Sequence, residues 1–214
     1  MTTAAVFAAK WHDLAQTLSL PAALSDVILA ELQAGYGETG RHYHTDRHIV
    51  SLLDRAVGLD FRDGEIAQLA IFFHDLVYDP LRNDNERRSA EVMTQRLSDH
   101  VSANKLDKAT AIIEATASHQ PTGDADTDLV LDLDMGILGQ PWPIYETYAR
   151  GVMAEYLPYT GEAAWRQGRV SLFIDPTLAR GKIFITDHFK PFDDRAMENL
   201  RREKAWLSSD QPLT

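Results

Sequence analysis

The chain of 214 residues contains no cysteine, which excludes disulfides, thiolate metal sites and cysteine nucleophiles. Any metal has to be bound by His, Asp, Glu or backbone oxygen. Long apolar runs are missing too: the longest, Leu69 to Phe73, falls far short of the ~20 residues that cross a bilayer. The N-terminal MTTAAVFAAKWHDLAQ has neither the basic start nor the unbroken apolar stretch of a signal peptide, so a cytoplasmic location is expected. Positive charge is scarce, with Lys+Arg 21 against Asp+Glu 32 and a net charge of -11. Such a surface repels polyanions at long range, so neither nucleic acid nor an anionic membrane is an expected partner. A few arginines acting locally can still hold a small anion. Oligomeric state is not legible.

Strand-like alternation is almost absent. Apolar residues instead recur every three or four positions, which predicts helices near 3–18, 23–36, 46–57, 64–77, 84–98, 103–118, 128–139, 142–156, 162–174 and 193–207. The expected fold is all-α, with about nine or ten helices in one domain. Asp63 and Asp193 are placed to cap the fourth and last helices, and Asn83 with Glu86 has capping-box spacing for the fifth. Gly35 and Gly37 mark a helix end. Segment 175–192, with Gly and two Pro, reads as a structured loop. The segment from Asp128 to Leu138 is ambiguous: Leu129, Leu131, Leu133 and Met135 alternate, while Val130, Leu133, Ile137 and Leu138 fit a helix. The helical context decides for the helix.

Three clusters suggest chemistry. His74 lies in the apolar stripe Ile66, Leu69, Ala70, Phe73, Val77, and a lone core histidine needs only one hydrogen bond. Its neighbour Asp75, however, places a carboxylate at the edge of that stripe, which costs several kcal/mol unless a cation or donors compensate. Upstream, RHYHTDRH puts His42, His44 and His48 within seven residues. Either His44 and His48 share a helix face, or Asp46 caps the helix and His44 sits in the loop before it; both can reach one site. Asp134 falls in the helical stripe of its segment with Asp132 turned away; on a strand, Asp132 would be a rival. His48, His74, Asp75 and Asp134 supply two imidazoles and two carboxylates, a set that balances one divalent cation and suits Zn, Mn, Fe, Co or Ni better than Ca.

These residues resemble the HD superfamily of metal-dependent phosphohydrolases, and YHTDRH is similar to the Tyr-His-x-x-x-His motif of cyclic-nucleotide phosphodiesterases. The chain is most similar to a stand-alone bacterial group of predicted HD phosphohydrolases, through RHYHTDRHI, FFHDLVYD, DNERRSA, LDLDMGILG and YARGVMAEY. The resemblance implies a single HD-type domain over 1–214, with a metal-site core at about 35–155 and C-terminal helices at 160–207 packed on it. It further implies that His48 binds metal and His44 is a general acid. The residues that hold the purine in cyclic-nucleotide phosphodiesterases have no counterpart here, so that substrate is not implied.

The expected activity is hydrolysis of a small, nucleotide-like phosphate ester. Bound metal would lower the pKa of water, and Asp75 would take the water's proton or bridge a second, weaker metal such as Mg. Arg41 is the leading candidate to hold phosphate, ahead of Arg47, Arg82 and Arg87. Asp79, Glu86 and His119 are candidates to orient the ligands. Their alternative readings are a turn residue before Pro80, a capping-box partner and a core histidine. The rival functions are a di-iron oxygenase, which would need extra ligands such as His119 with Glu86 or Asp79, and a metal- or nucleotide-binding module without turnover.

Overall fold

The computed structural model describes residues 1–209. Among them there is no strand and no helix long and apolar enough to cross a membrane. The helices are α1 (Thr3–Thr17), α2 (Ala22–Tyr36), α3 (Asp46–Ala56), α4 (Gly64–Phe73), α5 (Asn85–Leu97), α6 (Ala103–Ala115), α7 (Ala125–Met135), α8 (Trp142–Thr160), α9 (Glu162–Gly168), α10 (Asp175–Arg180) and α11 (Asp193–Leu207). The all-α class is as expected. Two compact units, Met1–Leu131 and Asp132–Thr214, divide within α7.

The first unit is organised around α4. Of its ten residues, Ile66, Ala67, Leu69, Ala70, Ile71, Phe72 and Phe73 are buried while Gln68 is exposed; a helix apolar over most of its circumference belongs in a core. Helices α1, α3, α5 and α6 pack on it. Phe7 and Trp11 of α1 meet the Phe72 ring edge-on, each at 5.3 Å between centroids, the preferred arrangement for aromatic quadrupoles. The Trp11 indole N–H donates to the Ser25 carbonyl at 3.0 Å and hydroxyl at 3.1 Å, pinning α1 to α2.

Helix α4 ends at Phe73, four residues before the expected 77. The reason is a side chain. In a continuing helix the Asp75 N–H would bond the Ile71 carbonyl; here the His74 imidazole Nδ1 lies 2.9 Å from that oxygen and takes its place. The Tyr36 hydroxyl donates to the next carbonyl, Phe72, at 2.9 Å. The His-Asp pair therefore leads into a turn rather than riding on the helix. Gly35 lies inside α2 and is needed for contact, not termination: a Cβ there would come 2.6 Å from Leu76 Cδ1 and 3.1 Å from the Leu76 carbonyl oxygen.

In the second unit, α9 runs through a π-helical stretch, Arg169–Ile174, into α10, so part of the expected 175–192 loop is helical. Gly181, at φ 71, adopts the left-handed conformation that ends α10. The irregular segment beyond it has its amides satisfied by two carboxylates. Asp193 accepts from Ile183 N at 2.7 Å and Phe184 N at 3.1 Å. Asp132 accepts from Ile185 N at 2.8 Å and from Thr186 N and Oγ1 at 2.7 and 2.6 Å. Asp193 is thus the first residue of α11, not its cap, and Phe192 holds the cap position. Likewise Asp84, not Asn83, precedes α5, and neither Asp84 nor Asp63 caps with its side chain. Asp84 is paired to Arg82 and Arg87, and Asp63 to Lys108.

A buried polar network ties α8 to α11. Glu203, 1% exposed at its side chain, pairs with Arg169 at 3.0 Å and accepts from the Tyr145 hydroxyl; Arg169 also donates to the Tyr148 hydroxyl at 3.0 Å. Burial and the neighbouring Glu203 charge raise the Tyr145 pKa, keeping its hydroxyl a donor. Arg169→Met should leave the Glu203 carboxylate buried without its cation and cost about 3–5 kcal/mol, a fall of roughly 10 °C in melting temperature for a chain of this size. Tyr145→Phe should cost about 1–2 kcal/mol. Thermal denaturation followed by circular dichroism checks both, and equal, small shifts would show that the network contributes little.

Candidate metal centre

Helix α3 starts at Asp46 with Thr45 in the cap position, which puts His48 in its first turn and His44 in the preceding loop. His48 is 5% exposed and His74 2%. Their Nε2 atoms face each other at 3.3 Å. Asp75 Oδ2 lies 3.0 Å from His74 Nε2 and 3.6 Å from His48 Nε2. Ligand atoms held about 2.0–2.2 Å from one ion are separated from each other by roughly 3.0–3.5 Å, so these three atoms have the spacing of a shared coordination sphere. The tautomer fits as well. His74 Nδ1 carries the proton that bonds the Ile71 carbonyl, which leaves the Nε2 lone pair for a metal.

Among the described residues, His48, His74 and Asp134 form a group that could hold a metal ion, each offering one ligand atom within 4.8 Å of the others. Asp134 lies near the end of α7, a helix that begins at Ala125. Asp132, on the same helix, has both carboxylate oxygens occupied by the amides and hydroxyl at 185–186, so the helical reading that turned it away from the ligand set agrees with its contacts.

Electrostatics favour this arrangement. Burial works against the Asp75 charge, but the imidazoles of His74, His44 and His48, when protonated, and the hydrogen bond from His74 hold the carboxyl well below the usual range, a role that a cation bound at the Nε2 atoms would take over. His44 is half-buried at the rim: its ring lies 4.5 Å from that of Tyr78 and 6.0 Å from that of His48, centroid to centroid. Tyr43 packs against His48 at 4.9 Å.

Arg41 requires correction. Its side chain is 3% exposed, and all five N–H donors are engaged. They go to Glu38 Oε2 at 3.1 and 3.0 Å, to the carbonyls of His44 at 3.3 Å and Asp75 at 2.6 Å, and to that of Leu76 at 2.7 Å. A guanidinium so committed has no donor left for a phosphate. Arg82 and Arg87 are exposed and paired with Asp84, and Arg87 also with Glu91. Asp79 follows its turn reading, its carboxylate accepting from Leu81 N at 3.0 Å while its backbone N–H and carbonyl bond the Asn85 amide. Glu86 lies in the first turn of α5. His119, just beyond α6, has φ 50, a left-handed conformation uncommon outside glycine. None of Asp79, Glu86 and His119 belongs to the metal-competent group, and neither does Asp75, whose link to the site is its carboxylate at 3.0 and 3.6 Å from the two Nε2 atoms.

Sequence reasoning missed Tyr36 and Tyr78, which flank Arg41 at 5.4 and 5.2 Å from ring centroid to Cζ. The only signal was their aromatic character near the histidine cluster. Comparison with known protein families, curated proteins and solved structures finds no match to this chain.

Substitution should separate the two α7 aspartates. His48→Ala, His74→Ala, Asp75→Ala and Asp134→Ala should each cut bound metal at least tenfold, measured by elemental analysis after dialysis. Asp132→Ala should retain metal but lose roughly 2–3 kcal/mol of stability, because three donors lose a charged acceptor. Metal lost from Asp132→Ala and kept in Asp134→Ala would reverse the assignment.

Proposed function

We propose that the chain is a metal-dependent phosphohydrolase of the HD type, acting on a phosphate ester of a small, nucleotide-like molecule. The observation that carries this reading is the buried convergence of His48 and His74 Nε2 with carboxylate oxygen at coordination spacing. Two buried imidazoles beside carboxylate oxygen suit a divalent ion, and the half-buried His44 next to them, outside the metal-competent group, suits catalysis better than a purely structural ion.

A divalent ion held by His48, His74, Asp75 and Asp134 would supply a water of lowered pKa and polarise the phosphoryl oxygen. Each protein group then has a defined task. His74 is oriented by its bond to the Ile71 carbonyl. Asp75, whose carboxylate stands beside both Nε2 atoms, can accept the water's proton as the P–O bond to the nucleophile forms. His44 stands outside the metal-competent group yet beside Asp75 and His48, where it can give a proton to the departing ester oxygen. A di-iron oxygenase would have recruited Asp79, Glu86 or His119; the carboxylate of Asp79 is engaged in its own turn, which favours the hydrolase.

His44 distinguishes turnover from mere binding. His44→Ala should keep metal content and melting temperature close to those of the unaltered protein, while phosphoester hydrolysis falls by roughly 10²–10⁴. A nitrophenyl ester, whose leaving group needs little protonation, should lose less than an alkyl ester. Phosphate release, with Mn²⁺, Zn²⁺, Co²⁺, Ni²⁺, Fe²⁺ and Mg²⁺ each supplied, checks this on both ester types. Absence of hydrolysis with every metal and ester would remove the enzymatic reading, and loss of metal in His44→Ala would make it a ligand.

A further inference from the structure

The turn that carries His74 and Asp75 is tied to α5 by the bond from Val77 N to the Ser89 hydroxyl at 3.0 Å, while two of its carbonyls are fixed by a single side chain. The Arg41 guanidinium donates 2.6 Å to the Asp75 carbonyl and 2.7 Å to that of Leu76, and reaches the His44 carbonyl at 3.3 Å. The guanidinium also lies against the rings of Tyr36 and Tyr78, with Cζ 5.4 and 5.2 Å from their centroids. Tyr36 in turn bonds the Phe72 carbonyl, and Glu38 takes the two remaining donors. The close approach at Gly35, where any Cβ would strike Leu76, brings the end of α2 near enough for this. The planar five-donor fork is what fits: an ammonium has three donors on one atom and cannot span three carbonyls and a carboxylate in one plane.

We propose that Arg41 is the positioning residue of the metal centre: by clamping the carbonyls of His44, Asp75 and Leu76 it sets where the His74 and Asp75 ligand atoms and the His44 imidazole point. It touches neither metal nor substrate. A ligand on an unclamped turn would have to be ordered at the moment of binding, and supporting contacts of this kind are worth about 10–100-fold in metal affinity. The inference rests on reading His48, His74, Asp75 and Asp134 as a metal site.

The test uses the full-length chain stripped of metal, with Zn²⁺ affinity measured by competition against a chromophoric chelator and site geometry by the visible spectrum of bound Co²⁺. The unaltered protein should bind one Zn²⁺ tightly. Arg41→Met should weaken Zn²⁺ binding about 10–100-fold and alter the Co²⁺ spectrum; Arg41→Lys, which keeps the charge and can still reach one or two carbonyls, should fall between. A control in the same unit, Leu97→Ala on α5, removes a fully buried side chain and should lower the melting temperature without changing affinity or spectrum. Should Arg41→Met fail to fold, Arg41→Lys, checked for native helical content, carries the comparison. Unchanged Zn²⁺ affinity and an unchanged Co²⁺ spectrum in a folded Arg41 variant would overturn the positioning role while leaving the metal site intact. Failure of the unaltered protein to bind Zn²⁺ or Co²⁺ would instead overturn the metal reading itself.

Discussion

A buried helix cannot surrender its last carbonyls to water, and the centre of this molecule depends on how α4 meets that constraint. Its C-terminus lies among aromatic and aliphatic side chains, where each unpaired carbonyl would cost a few kcal/mol. The partners are side chains: the His74 imidazole for Ile71, the Tyr36 hydroxyl for Phe72, and Arg41 for the turn that follows. The same contact that ends the helix fixes the His74 tautomer and presents Nε2 to the site. Structural necessity and ligand orientation are one interaction here, which is why the His-Asp pair sits at a helix end and not in its middle.

The parts of this arrangement that depend on local pattern were readable in the sequence. Helical periodicity identified the all-α class and all ten expected segments, and the density of histidine between residues 42 and 48 singled out a cluster from which His48 does reach His74. What was not readable depends on residues far apart in the chain. Arg41 looked like a phosphate ligand because it adjoins the histidines, but its decisive partners lie 34 and 35 residues away, and no periodicity reports that separation. The early stop of α4 was hidden for a related reason. Val77 continues the apolar spacing of the helix, so periodicity carries on past the point where a side chain has taken over the hydrogen bond. Caps failed similarly: the Asp63 carboxylate pairs with Lys108, 45 residues away, that of Asp193 takes the amides of Ile183 and Phe184, and Asn83 stands one residue before the observed cap position.

Charge placement follows the same logic. The chain carries a net charge of -11, yet its most deeply buried cations, Arg41 and Arg169, serve the fold by stacking on tyrosines and bonding carbonyls or Glu203. Arginine suits this because its planar fork distributes one charge over several acceptors and is weakly hydrated. The imidazoles take the opposite role at the metal centre. Those of His74, His44 and His48 lower the Asp75 pKa against its burial, so a carboxylate that burial alone would drive neutral stays charged.

The two α7 aspartates show why burial alone is a poor guide to function. In LDLDMG the helical stripe favours Asp134, yet by exposure Asp132, at 1%, is the more suspicious of the two. A buried carboxylate must be compensated, but the compensation can be protein or metal. Asp132 is compensated by two amides and a hydroxyl that converge on its oxygens from residues 185–186, and charge-assisted bonds of that kind already satisfy most of its lone pairs. Asp134, two residues on, points some 200° around the helix by the 100° step per residue, and there a ligand atom stands with those of His48 and His74. One helical end therefore carries two acids with different tasks, one anchoring an irregular segment and the other offered to a cation. The distinction is made by what the rest of the chain donates to each, and it follows that metal binding should tolerate changes at the loop-holding position far better than the fold does.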